Sequence, residues 1–359
     1  MKQDANDVTG IKIGIIGLGS AAKNIHIPAY RKIAGCEVVG GIDPVASASE
    51  FDFELFPSIE SMLHQSRPDI VSIVTPPDSH FEIICELLRF GVHVFCEKPF
   101  VTSVEEGKTV IELAHERQRH VVVNNEFRYM CVHKKAKEQI GAPLFGELLF
   151  LNINQTFHVT EQTELGWRGK MKRRTCYEFG THALDLARYF FDADPIAITA
   201  RMPKPGNPDG PDYLNLISLE FPDDRVAQIT LDRLSKGPHR YLDIRLDGSL
   251  GCIESEIGGR AEFAIGIKGG THRPFVRFDF VPSALATLFS QEGKRKLATD
   301  PIDLFPSATA SLLNEMLGAI ASGRRPPCDA ADNLKTLELM LAAYRSAEDG
   351  GARIKLDFH

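Results

Sequence analysis

The stretch 173–191, RRTCYEFGTHALDLARYFF, sets a carboxylate and an imidazole four residues apart, Glu178 and His182, with a second carboxylate, Asp185, three residues further on. Residues three or four apart on a helix are neighbours, so a helix here puts all three near one face. A carboxylate beside an imidazole can handle a proton, help to hold a metal, or be ordinary core polarity. No third ligand of matching spacing follows, so no metal is expected. Asp185 is expected to anchor the helix by hydrogen bonds. A further reactive group is Lys98, set in VHVFCEKP between an apolar run and Pro99. A lysine held at a strand end can donate a hydrogen bond to a hydroxyl and, when partly desolvated, lower the pKa of a base beside it. Which of these chemistries applies depends on the elements that position these four side chains.

IKIGIIGLGSAA, residues 11–22, is an apolar run ending in glycines, the composition of a strand buried on both faces that turns abruptly into a helix. Gly17 and Gly19 fall at the first two positions of a dinucleotide fingerprint and Ala22 takes the third, with Ser20 and Ala21 in the turn between. The glycines permit a tight turn and close backbone approach to a pyrophosphate at a helix N-terminus. CEVVGGIDP reads as a second buried strand whose end, Asp43, is placed to accept a hydrogen bond from a ribose 2′-hydroxyl. Its charge repels a 2′-phosphate, so NAD is expected rather than NADP. The plainer reading of Asp43 is a turn residue before Pro44.

Strand and helix patterns go on alternating through PDIVSIVTPP, HFEIICELLRFG, VHVFCEKP, VEEGKTVIELAHERQ and HVVVNN, which implies right-handed crossovers and a parallel sheet. Ligands of such sheets bind beyond the carboxyl ends of the strands. That rule gathers Gly17, Asp43, the turn of Thr75, Pro76 and Pro77, the turn of Glu97, Lys98 and Pro99, and the segment 124–128 along one edge. From about residue 146 the pattern becomes alternating apolar and polar, in GELLFLNINQTFH, IAITARMP, YLNLISLEF, RVAQITLDRL and YLDIRLDG, as an antiparallel sheet requires. A helix over roughly 180–191 lies between two of these strands, with Leu184, Ala187, Phe190 and Phe191 as its apolar anchors. An open sheet needs a cover on its second face, and another subunit would supply it, so a homodimer or homotetramer is expected.

The 359 residues favour two domains. A hydrophobic fraction of 43% with 25% charged residues is ordinary for a globular protein, and no apolar run approaches the ~18 residues of a membrane span. MKQDANDVTG lacks the apolar core of a secretory signal. The formal charge of −7 argues against a nucleic-acid surface. Seven scattered cysteines without a CxxC pair point to a reducing, cytoplasmic setting. One basic segment stands out, WRGKMKRRT, with Arg168, Lys170, Lys172, Arg173 and Arg174. It reads as a solvated face, the sharper alternative being a gate for an anionic substrate such as a sugar acid or sugar phosphate. Arg128, Tyr129, Trp167 and Arg168 are candidate substrate contacts, with packing as the plainer alternative.

GLGSAA followed by HIPAY, then VTPPDSH, GVHVFCEKP and EFGTHALDL, resembles the glucose–fructose oxidoreductase, inositol dehydrogenase and MocA family of NAD(P)-dependent oxidoreductases. The ending GRRPPCDAADNLKTLELMLAAYRSAEDGG is similar to that family's C-terminal helices. The resemblance implies an α/β chain with an N-terminal Rossmann domain over 1–129. A C-terminal α+β domain over 130–359 would carry a large open, mostly antiparallel sheet, its last helices packing back on the first domain. The implied reaction is hydride transfer between a nicotinamide and a secondary alcohol of a sugar, sugar derivative or cyclitol, a polyol or sugar substrate. Lys98 matches the family's lysine and His182 its proton-accepting histidine, while Glu178 stands where an aspartate is common. His80 and Glu97 join the implied cofactor contacts and Tyr177 the substrate contacts. KRRTCY brings bulk and charge to an approach that is often glycine-rich, and glutamate moves the carboxylate by about one methylene, which matters for near-attack alignment. The fold also allows a non-catalytic NAD-binding sensor, or hydrolysis or epimerisation by transient oxidation with retained NAD.

Overall fold

The computed structural model describes residues 10–166, 168–237, 240–268, 273–281 and 283–358. The chain divides into two compact units, the first running up to Tyr129 and including Phe305–Leu341 and Phe358, the second comprising Met130–Leu304 and Ala342–Asp357.

In the first unit β1 (Ile11–Ile16) leads through a π-helical turn, Ala22–His26, into α1 (Ile27–Tyr30). β2 (Cys36–Ile42), α2 (Ile59–Ser66), β3 (Ile70–Ile73), α3 (His80–Arg89), β4 (His93–Cys96), α4 (Val104–Arg117) and β5 (Val121–Val123) follow. The five strands are parallel, in the order β2-β1-β3-β4-β5. All four residues of β3 and all three of β5 are buried, as expected of strands covered by crossover helices on both faces. Helix starts are locally specified: Ser103 and Glu106 form a reciprocal capping box at α4, two orphan donors being satisfied at once. Because β2 and β3 flank β1 on opposite sides, the strand order reverses there. A crevice for a ligand therefore opens beyond the carboxyl ends of β1 and β3.

In the second unit α5 (Cys131–Lys137), β6 (Leu148–Thr156), α6 (Thr181–Phe191), β7 (Ala197–Arg201), β8 (Leu214–Glu220), β9 (Val226–Asp232), β10 (Arg240–Gly248) and β11 (Gly251–Ile257) come first. A hairpin of β12 (Arg260–Lys268) and β13 (Arg273–Val281) interrupts before β14 (Ala284–Ser290), β15 (Gly293–Asp300) and the short β16 (Ile354–Lys355). Nine strands form one sheet in the order β15-β14-β11-β10-β6-β9-β8-β7-β16, antiparallel at every neighbour except β6 with β9. The alternating pattern announced five of these strands. Those it missed are less regular: β15, GKRKLATD, is mostly polar, β14 has little alternation, and β11 buries a serine, Ser255, in its inward row.

α6 starts at Thr181, behind a π-helical turn, Cys176–Gly180, and not as one regular helix. A Cβ on Gly180 would come 2.8 Å from Cys176 Sγ, so the turn needs the glycine. Ten of the eleven α6 residues are buried. The Phe191 ring stacks on Phe221 at 4.2 Å and Phe190 meets His133 edge-on. Two long C-terminal helices complete the chain, α7 (Leu304–Ser322) and α8 (Ala330–Glu348). Leu312, Leu313, Met316 and Leu317 of α7 share one core with Ile13, Ile15, Phe95 and Val122. No helix among the described residues is long and apolar enough to cross a membrane.

Candidate functional site

Gly17 follows β1 with φ +89°, and its N–H donates to Ile42 O at 2.8 Å. A Cβ there would lie 2.8 Å from the Val74 carbonyl and the Thr75 nitrogen, so the chain passes where only glycine fits. Gly19 is the opposite case, with nothing within 4 Å of its would-be Cβ. Crowding behind the first glycine and open space before the second suit a pyrophosphate approaching backbone N–H groups. Ser20 and Ala21 stand at the outer part of this turn, and Ala22 is fully buried, which explains its small side chain.

Asp43 lies just beyond β2, and its carboxylate accepts from the N–H groups of Leu18 at 2.8 Å, Val45 at 2.9 Å and Ala46 at 3.0 Å. Burial raises its pKa, but the three N–H donors and the Lys23 charge outweigh that and hold it below the usual carboxylate range. Asp43 is thus both a turn residue and an ionised acceptor joined to the glycine turn. These residues fit NAD: Gly17 and Gly19 suit a phosphate turn, and Asp43 Oδ2, which among the described residues accepts only the Leu18 N–H, keeps acceptor capacity for a ribose hydroxyl.

Beyond β3, Ser79 Oγ donates to Thr75 Oγ1 at 2.8 Å. The fully buried His80 has its ring nitrogens 2.8 Å from Thr75 O and 2.9 Å from Pro99 O. His80 therefore braces the Thr75, Pro76, Pro77 turn against the Glu97, Lys98, Pro99 turn, and burial pulls its pKa down. Glu97 is tied three ways. Its Oε1 lies 2.8 Å from His26 Nε2 and accepts from Asn124 Nδ2 at 2.8 Å, and its Oε2 accepts from the Lys98 N–H at 3.3 Å. Behind His26, Nδ1 meets Tyr30 Oη at 2.8 Å, and Tyr30 donates to Ser72 at 2.6 Å. Burial pushes the Glu97 carboxyl up; the His26 hydrogen bond and charge, Lys98 and Asn124 pull it down further, so it is ionised at neutral pH. This half-buried anion fixes the backbone that carries Lys98, itself half-buried.

In the second unit His182 and Asp185 are buried in α6, with the His182 ring edge-on to Phe179 at 5.7 Å. Glu178, in the π-helical turn, faces arginines: Arg168 Nε at 2.5 Å, Arg233 Nη1 at 3.3 Å, and Arg174. Arg174, 2% exposed, also forks onto Glu164 through Nη2 at 3.0 Å and Nε at 3.3 Å. The solvated reading of the basic segment thus fails at Arg174. Arg168, Lys170, Lys172 and Arg173 are exposed, but Arg174 turns inward because two carboxylates await it. Asp212 caps the start of this helical segment, accepting from the N–H groups of Arg174, Thr175 at 3.1 Å and Cys176 at 3.0 Å, with Tyr344 Oη donating at 3.0 Å. Tyr177 N–H reaches the same Tyr344 oxygen at 3.0 Å.

The other expected substrate contacts are placed differently. Arg128 pairs with Asp332 at 3.0 Å and Tyr129 packs on the first unit's core, while Trp167 lies outside the described residues. No group of three or more His, Cys, Asp or Glu is gathered as a metal would need among the described residues. Sequence reading overlooked His26, Tyr30, Asp212, Arg233 and Tyr344. Only the first two carried a local signal, standing four apart on one helix face.

A family model described as an oxidoreductase family with an NAD-binding Rossmann fold (GFO/IDH/MocA) matches residues 11–125, and the GFO/IDH/MocA C-terminal domain matches residues 133–254. The chain is 23% identical to a D-apiose dehydrogenase of Paraburkholderia graminis, covering 96% of this chain and 89% of that one. It is also 23% identical to a 1,5-anhydro-D-fructose reductase of Ensifer adhaerens, covering 94% and 97%. In fold it is similar to an oxidoreductase from Agrobacterium radiobacter solved with NAD+, L-tartaric acid and magnesium, with TM-score 0.78 and 19% identity over 97% of this chain and 98% of that one.

Proposed function

The chain belongs to the GFO/IDH/MocA family of NAD-binding oxidoreductases, and from that premise we propose that it transfers hydride between a nicotinamide and a secondary alcohol of a sugar, sugar derivative or cyclitol, oxidising the alcohol or reducing the corresponding ketone. The observation that carries this reading is the anchored Glu97, which His26, Asn124 and the Lys98 N–H hold at the edge of the same sheet that Gly17 and Asp43 border. Gly17, Gly19 and Asp43 hold the dinucleotide, with the Thr75 turn beside them. NAD, when bound, supplies the acceptor for the hydride. Lys98 donates a hydrogen bond to the reacting hydroxyl oxygen, and His182 takes the hydroxyl proton. Glu178, held among its arginines, steadies the turn that leads to His182. Names of similar proteins, a D-apiose dehydrogenase and an anhydrofructose reductase, support a sugar substrate. Arg168 and the arginines around Glu178 support an acidic sugar in particular.

The test is incubation with NAD or NADP across sugars, sugar acids and inositols, following reduced nicotinamide absorbance. NAD-dependent turnover of at least one class is expected. Tight NAD binding without turnover of any of them would refute the dehydrogenase reading in favour of a sensor, and cofactor retained through purification without net reduction would favour transient oxidation.

The same reading includes a homodimer or homotetramer. Its support is the outward face of the large sheet, where Leu216 is 39% exposed. A sedimentation mass equal to one chain at micromolar concentration would refute this. The seven free cysteines support a reducing, cytoplasmic setting.

A further inference from the structure

Arg233 directly follows β9 and is 4% exposed, its guanidinium stacked over the Phe157 ring at 4.7 Å. A guanidinium has five N–H donors. One nitrogen, Nη1, lies 3.3 Å from Glu178, while the buried Nε finds no hydrogen-bond partner among the described residues. Glu178 also serves Arg168 and Arg174, and Glu164 is taken by Arg174 and by Tyr213 Oη at 3.0 Å. Three guanidiniums thus share two carboxylates. Asp212, the next acid, is spent on backbone N–H groups, Tyr344 and Asn215. Burial and the neighbouring Arg174 charge pull the Arg233 guanidinium down to about 10, against the opposing pull of Glu164 and Asp212.

Other uncompensated polar atoms share that face of the sheet. Leu231 on β9 is flanked by Gln155 on β6 and Asn215 on β8, and Arg233 is the next residue of the same β9 row. Gln155 is fully buried with neither amide atom partnered, and Asn215 Oδ1 is likewise unpartnered among the described residues. The row offers donors at Arg233 and Gln155 and acceptors at Gln155 and Asn215. A carboxylate can use only the donors, whereas hydroxyls can use both kinds.

From this we infer that the substrate is a polyhydroxy carboxylic acid, whose carboxylate is bound by Arg233 and whose hydroxyls are bound by Gln155 and Asn215. The inference rests on the sugar-oxidoreductase reading and narrows its substrate class. A carboxylate is the acceptor that suits the unpartnered Nε–H of a buried guanidinium. A phosphate dianion would instead bring two negative charges up to Glu178, Glu164 and Asp212.

The experiment measures Kd by calorimetry on the whole protein with NAD present, for matched pairs that differ in the acid group: D-gluconate against D-glucitol, D-glucuronate against D-glucose, and D-glucose 6-phosphate as the phosphate probe. Binding of the acid about 10- to 100-fold tighter than its neutral partner is expected, the worth of a charge-assisted hydrogen bond. Arg233→Met should collapse that ratio towards one, and Arg233→Lys should restore part of it. Equal binding of acid and neutral partners, no binding of either, or preference for the phosphate overturns the inference, and so does an Arg233→Met ratio equal to that of wild type. Should Arg233→Met fail to fold, the wild-type ratios decide alone. Reduced nicotinamide formed from neutral sugars but not from acids would leave the dehydrogenase reading standing while this inference falls. Acid-selective binding without turnover would do the reverse.

Discussion

Lys98→Ala and His182→Ala each lower kcat/KM by about two to four orders of magnitude while NAD still binds, the range removed with a general acid or base. In the proposed roles, losing the Lys98 ammonium removes the donor to the oxygen that develops negative charge, and losing the His182 imidazole removes the acceptor of the hydroxyl proton. Neither side chain carries much of its unit's core: Lys98 is only half-buried, and His182 is one of ten buried residues in α6. Folding should therefore survive both changes. The measurement pairs steady-state reduction of NAD with a fluorescence titration of NAD binding, so that a kinetic loss is separated from a binding loss. Unchanged turnover in either variant would sink the role given to that residue.

Gly17→Ala is expected to abolish cofactor binding and to destabilise the first unit. At φ +89° an alanine is strained by about 1–2 kcal/mol. Its Cβ would also meet backbone atoms of Val74 and Thr75 at 2.8 Å, which cannot rotate away as a flexible side chain could. β1 and β3 must then part, shifting both the glycine turn and the Thr75 turn. Tm should drop by several degrees, at ~2–4 °C per kcal/mol for a unit of this size. Gly19→Ala is the control, because nothing lies within 4 Å of its Cβ position. It should leave Tm unchanged yet weaken NAD binding by occupying the space a pyrophosphate needs. Differential scanning calorimetry with and without NAD separates the two, and a Gly17→Ala protein with wild-type Tm and NAD affinity would refute the cradle.

The first unit was legible because its information is local. Buried parallel strands read as continuous apolar runs, and topology places every strand end on one edge, so Gly17, Asp43 and Lys98 could be named from the residues beside them. The second unit was less legible where alternation faded, as in β15, and where side chains answered distant partners. Arg174 is the clearest case. By neighbourhood it belongs to an exposed basic run, but Glu164 and Glu178 draw it inside.

The sequence alone determined the order of elements from β1 to β5, the glycine turn, the acid at the end of β2 and the lysine before Pro99, since each depends on steric rules acting over a few residues. Only the tertiary structure decided what those groups touch. Glu97 is held by His26, which lies 71 residues away, and Glu178 by Arg233, 55 residues on. The helical segment before His182 is capped by Asp212, 36 residues beyond Cys176. Such pairs are set by how the sheets bring remote strands and turns together, and a contact closed across a long loop leaves no periodic trace in the chain.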